Sequence, residues 1–253
     1  MVFDAGYSAV YDLLYQDVDY AGAVDQVESH LSDGMGLTLL DLGCGTGRHL
    51  EFFKHRHKKV VGVDISAGML KRAAQLNPDV ELLCQDARSF VLNGHFDVVV
   101  MMSAVLCYQI TNQDVIDTFR RVHDHLVPGG LFIFDVWHGP TVLYTKPERR
   151  AKRIQDKDFD LIRVVEPKVH LMTNMVTCSY SWKFVKKDED VDIGAAYADG
   201  SEVHKARYFF PTEIDLFART TGFDVLNVAR ADNGKPFGEN DDYWHARYVL
   251  QRV

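Results

Sequence analysis

The stretch Leu39-Leu40-Asp41-Leu42-Gly43-Cys44-Gly45-Thr46-Gly47-Arg48 decides how this chain is read. An apolar run ends in an acid, glycine then stands at alternate positions, and a helical pattern follows. Positions without a side chain let backbone pass close to a ligand. A parallel α/β sheet opens a nucleotide site in this way, at the C-terminal end of its first strand. The spacing is not that of a dinucleotide fingerprint. Arg48 follows Gly43-x-Gly45-x-Gly47, so the G-x-G-x-x-G pattern fails. An acid ahead of the first glycine is also a poor neighbour for a pyrophosphate. It suits a cofactor with a cationic amino group.

A glycine loop alone is a weak signal, because many turns use glycine. The next segments strengthen it. Val60-Val61-Gly62-Val63-Asp64 reads as a second strand ending in an acid. Asp64 lies 23 residues beyond Asp41, where ribose-binding acids sit in such folds. Ser66 is placed to cap a helix running through Met69 to Leu76. Val80-Glu81-Leu82-Leu83-Cys84 reads as a third strand, closed by Asp86-Ala87.

On these residues, from about Leu37 to Val136, the chain resembles the class I S-adenosylmethionine methyltransferases. The resemblance implies that Asp41, Gly43 and Gly45 hold the methionine end of that cofactor. It gives Asp64 the ribose hydroxyls and places Ile65 and Met69 against the adenine. It gives Asp86 the adenine amino group, sets Ala87 facing the ring, and adds Met102 after the fourth strand.

Composition agrees with a soluble enzyme. A chain of 253 residues, 47% hydrophobic, builds a sizeable core around one large α/β domain with an insertion. A net charge of −8 speaks against a general nucleic-acid binder. No run approaches the roughly 18 apolar residues of a membrane span. Met1-Val2-Phe3-Asp4 lacks the basic and apolar regions of a signal peptide. Cys44, Cys84, Cys107 and Cys178 form no C-x-x-C pair, so reduced thiols in the cytoplasm are expected, with no metal.

Residues 1–36 read as helical, with Tyr7, Tyr11, Tyr15 and Tyr20. Phe96–Met101 is a fourth strand, and a helix runs from Asn112, the expected cap, to Leu126. Pro128-Gly129-Gly130 stops it before a fifth strand at Leu131–Val136. After Trp137 the pattern changes to alternation, clearest in residues 176–185. The expected architecture is a doubly wound, mostly parallel sheet of seven strands, Rossmann-like, formed by residues 1–137 and 211–253. Residues 138–210 are an inserted antiparallel β region, placed as a lid over the substrate. The basic run Glu148–Arg153 reads as a solvated loop, with contact to an anionic substrate as the alternative. A helix begins near Thr212, after Pro211, and ends at Gly222. Residues 223–228 and 244–250 are strands six and seven.

Within the methyltransferases the chain is similar to the N-methyltransferases of nucleotide-linked amino sugars. Four stretches carry this: Tyr11–Tyr15 with Asp19-Tyr20, Gly45–Glu51, Met101–Val105, and Asp135-Val136-Trp137-His138-Gly139-Pro140. The resemblance implies an amine acceptor on a small molecule and no nucleic-acid partner. Some relatives carry a histidine after strand four. Here Leu106-Cys107-Tyr108 stands there, and Tyr108 and His138 are the catalytic candidates. Tyr11 and Tyr15 are expected to close over the cofactor. Tyr7, Trp137, His245 and Arg247 are expected on the substrate. The identity of the acceptor stays open among small metabolites, as does a catalytically silent regulatory subunit. The oligomeric state is open too, a homodimer included.

Overall fold

The computed structural model describes residues 5–31, 37–187, 189, 191, 199–238 and 241–253, with side chains from residue 10 onward. The elements follow in this order: α1 (Ala5–Leu14), α2 (Tyr20–Glu28), β1 (Thr38–Leu42), α3 (Leu50–Phe53), β2 (Lys59–Asp64), α4 (Ala67–Leu76), β3 (Glu81–Cys84) and β4 (Phe96–Met101). Then come α5 (Asn112–His125), β5 (Leu126–Trp137), α6 (Gly139–Thr145), β6 (Arg150–Gln155), β7 (Asp160–His170), β8 (Met175–Val185) and β9 (Gly200–Arg207). The chain closes with α7 (Pro211–Thr220), β10 (Phe223–Arg230) and β11 (His245–Arg252).

The larger sheet has the order β3-β2-β1-β4-β5-β11-β10. The first five strands are parallel, and β11 is antiparallel to both of its neighbours. Its central strands β1 and β4 are buried on both faces because helices cover both. Alternate residues serve the two layers. Leu40 and Leu42 pack toward α5 and α7, whereas Leu39 packs with α2 and α3. Phe119 of α5 meets Phe132, Phe134 and Phe223 edge-on, with ring centroids 5.4, 5.7 and 6.0 Å apart. The chain reverses its winding direction between β1 and β4. A doubly wound sheet leaves its ligand crevice at that point, outside the C-terminal strand ends.

Residues 150–207 add a second, antiparallel sheet in the order β6-β7-β8-β9. It attaches to the main body through the His138–Phe209 bridge and through α1. Val10 and Leu14 of α1 pack with Met69, Ile154, Leu161 and Trp182. One helix therefore ties α4 to the inserted sheet.

Several local expectations change. Thr111, not Asn112, caps α5. Its Oγ1 accepts from Asp114 N at 3.1 Å, and Asp114 Oδ2 accepts from Thr111 N at 3.2 Å. Asn112 is drawn away to accept from Arg207 Nη2 at 2.7 Å. Pro128-Gly129-Gly130 does not separate helix from strand. It lies within β5, where the register against β4 slips and Gly129 takes φ +77°. The basic run is not a loop throughout, since Arg150 to Arg153 open the edge strand β6. The short helix α6 follows β5 directly, with Pro140 in its first turn. Ser66 caps α4 as expected, its Oγ accepting from Met69 N at 3.3 Å. Among the described residues no helix is long and apolar enough to cross a membrane.

Candidate active site

A cavity of about 1440 Å³ opens at the C-terminal ends of β1, β2, β4 and β5, under α1 and the inserted sheet. A site for one small ligand measures about 300–1,000 Å³. This one has room for two ligands side by side.

The glycine loop forms its floor. Gly43 N and Cys44 N both donate to Val63 O, at 2.7 and 3.0 Å, which bends the chain off β1 toward β2. Gly43 has φ +85°, and a Cβ there would meet Val105 Cγ1 at 2.4 Å. Gly45 has φ +56° and nothing within 4 Å of its Cβ position. Open space beside Gly45 is what a ligand lying against the backbone requires. Thr46 Oγ1 donates to Asp12 Oδ1 at 2.7 Å, fastening the loop to α1.

Asp64 faces the cavity from the end of β2. Its Oδ2 accepts from Gly45 N at 2.9 Å and its Oδ1 from Ser66 N at 2.7 Å. Each carboxylate oxygen retains a lone pair. Burial raises the Asp64 pKa, and the backbone N–H groups of Ser66, Gly45 and Ile65 oppose that rise. Ile65 is 51% exposed and lies on the cavity rim. Met69, Ala87 and Met102 complete that wall. A vicinal diol beside Asp64 and a flat apolar ring on Ile65 and Met69 are the groups this wall fits.

Two expected cofactor acids are placed differently from the expectation. Asp41 is sealed beneath the loop, outside the cavity wall, and its Oδ2 has no hydrogen-bond partner. Burial, with the Asp64 charge added, pushes its pKa up to about 8. Asp86 lines the cavity but gives both oxygens to Arg88, at 2.6–3.2 Å. Arg88 holds its carboxyl below the usual range. Arg88 also reaches Asp114 at 2.9 Å.

The opposite wall is aromatic. Tyr11 and Tyr15 stand with ring centroids 4.6 Å apart, and Tyr108 and Tyr180 continue the wall. The Arg163 guanidinium lies 5.6 Å from the Tyr15 ring centroid and 5.8 Å from that of Tyr180. Tyr108 Oη lies 2.7 Å from His204 Nδ1, and His204 Nε2 lies 2.7 Å from Glu202 Oε2. Trp137 lines the cavity and meets Trp244 edge-on. Tyr7 belongs to α1, and its side chain lies outside the described residues.

Asp135, at the end of β5, accepts from Ser103 N at 3.1 Å and from Ala104 N, with His245 Nδ1 at 3.7 Å. Burial works against its charge. The nearby His245 ring, the Arg247 cation and Ala104 N–H outweigh this and hold Asp135 below the usual range. Ser103 and Ala104 have φ +60° and +59°, a strained pair that the carboxylate anchors. Arg247 is buried in the same wall and donates from Nη1 to Gln26 Oε1 at 3.0 Å. His49 is buried there too, its pKa pushed down to about 4 by desolvation.

His138 does not reach the cavity. Its Nδ1 lies 2.9 Å from Thr141 Oγ1, and its ring stacks on Phe237 at 4.1 Å. β5 alternation decides this: Trp137 takes the cavity face and His138 the other. Of the two residues expected at the chemistry, Tyr108 lies on the cavity wall and His138 lies away from it.

Sequence reasoning missed Asp135 as a partner of His245, the His204–Glu202 pair, Arg163 and Tyr180. The 202/204 spacing on a strand was the available signal, since residues two apart share a face. Among the described residues, no cluster of three or more His, Cys, Asp or Glu is suited to a metal ion.

The sheet order, the switch-point cavity and the glycine floor define a doubly wound, Rossmann-like α/β architecture. Residues 39–130 match the family model described as a methyltransferase domain. A curated relative is the dTDP-4-amino-2,3,4,6-tetradeoxy-D-glucose N,N-dimethyltransferase of Saccharopolyspora spinosa. It is 31% identical over 145 residues, 55% of this chain and 57% of that protein. The match thus spans little more than half of that relative's length. The fold is shared with Streptomyces venezuelae DesVI, at a TM-score of 0.79, 24% identity and 98% coverage of both chains. It is also shared with CalS10, a SAM-bound amino pentose methyltransferase from Micromonospora echinaspora. That match has a TM-score of 0.74 and 22% identity, over 100% of this chain and 98% of that one.

Proposed function

We propose that this protein transfers a methyl group from S-adenosylmethionine to the amino group of a small nucleotide-linked amino sugar. The observation that carries this reading is a single two-ligand cavity, with an Asp64 and glycine-loop wall facing an aromatic, partly cationic wall. Gly43, Gly45, Asp64, Ile65, Met69, Ala87 and Met102 hold the cofactor, and Asp41 supports the loop from below. Asp86 reaches the adenine amino group while remaining on Arg88. When bound, S-adenosylmethionine supplies an electrophilic methyl group on a sulfonium.

The protein's own task is alignment and water exclusion. Orientation of this kind contributes roughly 7–11 kcal/mol in favourable cases. Tyr11 and Tyr15, carried on and just after α1, cover the reacting pair. Trp137, Tyr108 and Tyr180 hold the sugar, and the Asp135 charge draws a cationic amine toward that wall. Arg163, with Arg150 and Lys152 at the mouth of the inserted sheet, suits the diphosphate. Residues 138–210 thus act as the substrate-binding region. The S. spinosa relative is named for dimethylation of a dTDP-linked amino sugar, which supports the same acceptor class here.

A mass-resolved assay tests this. Purified protein and S-adenosylmethionine are incubated with dTDP-sugars bearing either an amine or a hydroxyl at the same carbon. A mass gain of one or two methyl groups on the amine alone is expected. Methylation of the hydroxyl form, or of neither, refutes the reading.

A further inference from the structure

We propose that Tyr108, His204 and Glu202 form a proton relay that takes the proton released by the acceptor amine. The relay rests on the amine-acceptor reading above. Tyr108 belongs to the short 3-10 turn that follows β4, whereas His204 and Glu202 share a face of β9. Only the docking of the inserted sheet brings them together.

Hydrogen-bond chemistry sets the direction of the relay. The His204 and Glu202 side chains are 4% and 8% exposed, and both lie behind the cavity wall. A glutamate carboxylate only accepts, so His204 Nε2 carries hydrogen and donates across the 2.7 Å contact. Nδ1 is then the acceptor, and the Tyr108 hydroxyl donates to it across 2.7 Å. A phenol oxygen that donates its hydrogen still accepts one. That acceptor belongs to a residue of the cavity wall.

An aliphatic amine is largely protonated near neutral pH, and an ammonium has no lone pair with which to attack. In the relay the N–H bond breaks and its electron pair stays on nitrogen. The proton joins the Tyr108 oxygen, and the Tyr108 hydroxyl proton passes to His204 Nδ1. Tyr108 ends as a neutral phenol, as it began. His204 ends as an imidazolium held by the Glu202 carboxylate.

The surroundings favour transfer through Tyr108 over a resting phenolate. Burial, then Tyr180, Tyr15, Tyr11 and Cys107, push the Tyr108 pKa far up. Burial lowers the His204 pKa and Glu202 opposes that, so the ring rests neutral. The Tyr180 ring packs edge-on against His204 at 4.9 Å. Arg163 stands over Tyr15 and Tyr180 as the neighbouring cation.

The test uses the full chain, dTDP-3-amino-3,6-dideoxyglucose and dTDP-4-amino-4,6-dideoxyglucose as probes, and pH 6.5 to 9. Tyr108→Phe and His204→Asn are expected to lower kcat about a hundredfold at pH 6.5 with KM little changed. The deficit shrinks steadily toward pH 9, where bulk water removes the proton. Glu202→Gln keeps the side-chain shape and gives an intermediate loss with the same pH trend, which covers a failure of His204→Asn to fold. An equal loss at every pH marks a packing role and overturns the relay. Nitrogen-15 NMR of the chain without substrate supplies a readout independent of turnover. The Nε2–H tautomer of His204 is expected, with its Nδ1 resonance moving in Tyr108→Phe. An Nδ1–H tautomer overturns the relay. Failure of the parent reading looks different, because the wild-type chain then turns over neither amine and the relay falls with it, whereas failure of the relay alone leaves wild-type turnover intact.

Discussion

Asp41→Asn isolates the cost of the acid at the root of the glycine loop. Asp41 is 1% exposed, its Oδ2 lacks a partner, and its pKa rises from 3.8 to about 8. Between those values the folded chain keeps a proton that the unfolded chain has released. Stability therefore falls as pH rises, by about 1.4 kcal/mol per pH unit, and levels off above pH 8. From pH 5 to pH 8 this single group removes about 4 kcal/mol from the folded state. Asparagine cannot ionise, so Asp41→Asn lacks that slope. Its buried amide costs about 1–3 kcal/mol where it finds no partner. The variant is thus no more stable than wild type at pH 5 and more stable by pH 8. Urea unfolding of both proteins at pH 5, 6.5 and 8 measures this. His49, whose pKa is pushed down to about 4, adds stability with rising pH up to about 6.5 in both proteins and cancels in the difference. A wild-type-minus-variant difference that stays flat across pH 5 to 8 refutes a protonated, uncompensated Asp41.

Three other substitutions probe the cavity. Asp64→Ala removes the anchor of Gly45 N and Ser66 N together with the diol-binding oxygens. S-adenosylmethionine affinity by calorimetry should fall more than tenfold, since each hydrogen bond to a charged acceptor is worth about 1.5–3 kcal/mol. Unchanged affinity removes Asp64 from the site. Gly45→Ala meets no protein atom, so it costs only about 1 kcal/mol of backbone strain, yet its methyl group enters ligand space. Its melting temperature should hold within a few degrees while cofactor affinity drops, and a retained affinity refutes that placement of the ligand. His138→Ala should lower the melting temperature through lost packing on Phe237 and Thr141 and leave kcat within about threefold. A kcat loss of a hundredfold would restore His138 to catalysis.

The central sheet and the glycine-loop half of the cavity were legible in the sequence because they are local. At Asp41 a strand runs straight into a glycine turn, and at Asp64 a strand ends in an acid and Ser66 caps the helix that follows. The residues that form each unit are near neighbours in the chain. Ile65, Met69 and Ala87 inherit their positions from those units. The caps show the limit of this locality. Ser66 behaves as its sequence predicts, whereas Asn112 loses its expected role because Arg207, 95 residues away, engages its side chain.

The half of the cavity under the inserted sheet depended on tertiary structure. Composition marked residues 138–210 as β-rich, but side-chain alternation alone did not say which face of each strand would meet the cavity. The packing of Val10 and Leu14 against Ile154, Leu161 and Trp182 settles that. It turns Arg163 and Tyr180 inward and sets His204 behind Tyr108. In the same way, antiparallel pairing of β11 with β5 brings His245 to Asp135 across 110 residues of sequence. A sequence records which groups are present and how neighbours fold. The meeting of distant charges and rings is set by how whole elements bury their apolar faces, and here that burial determined which side chains share the aromatic wall of the cavity.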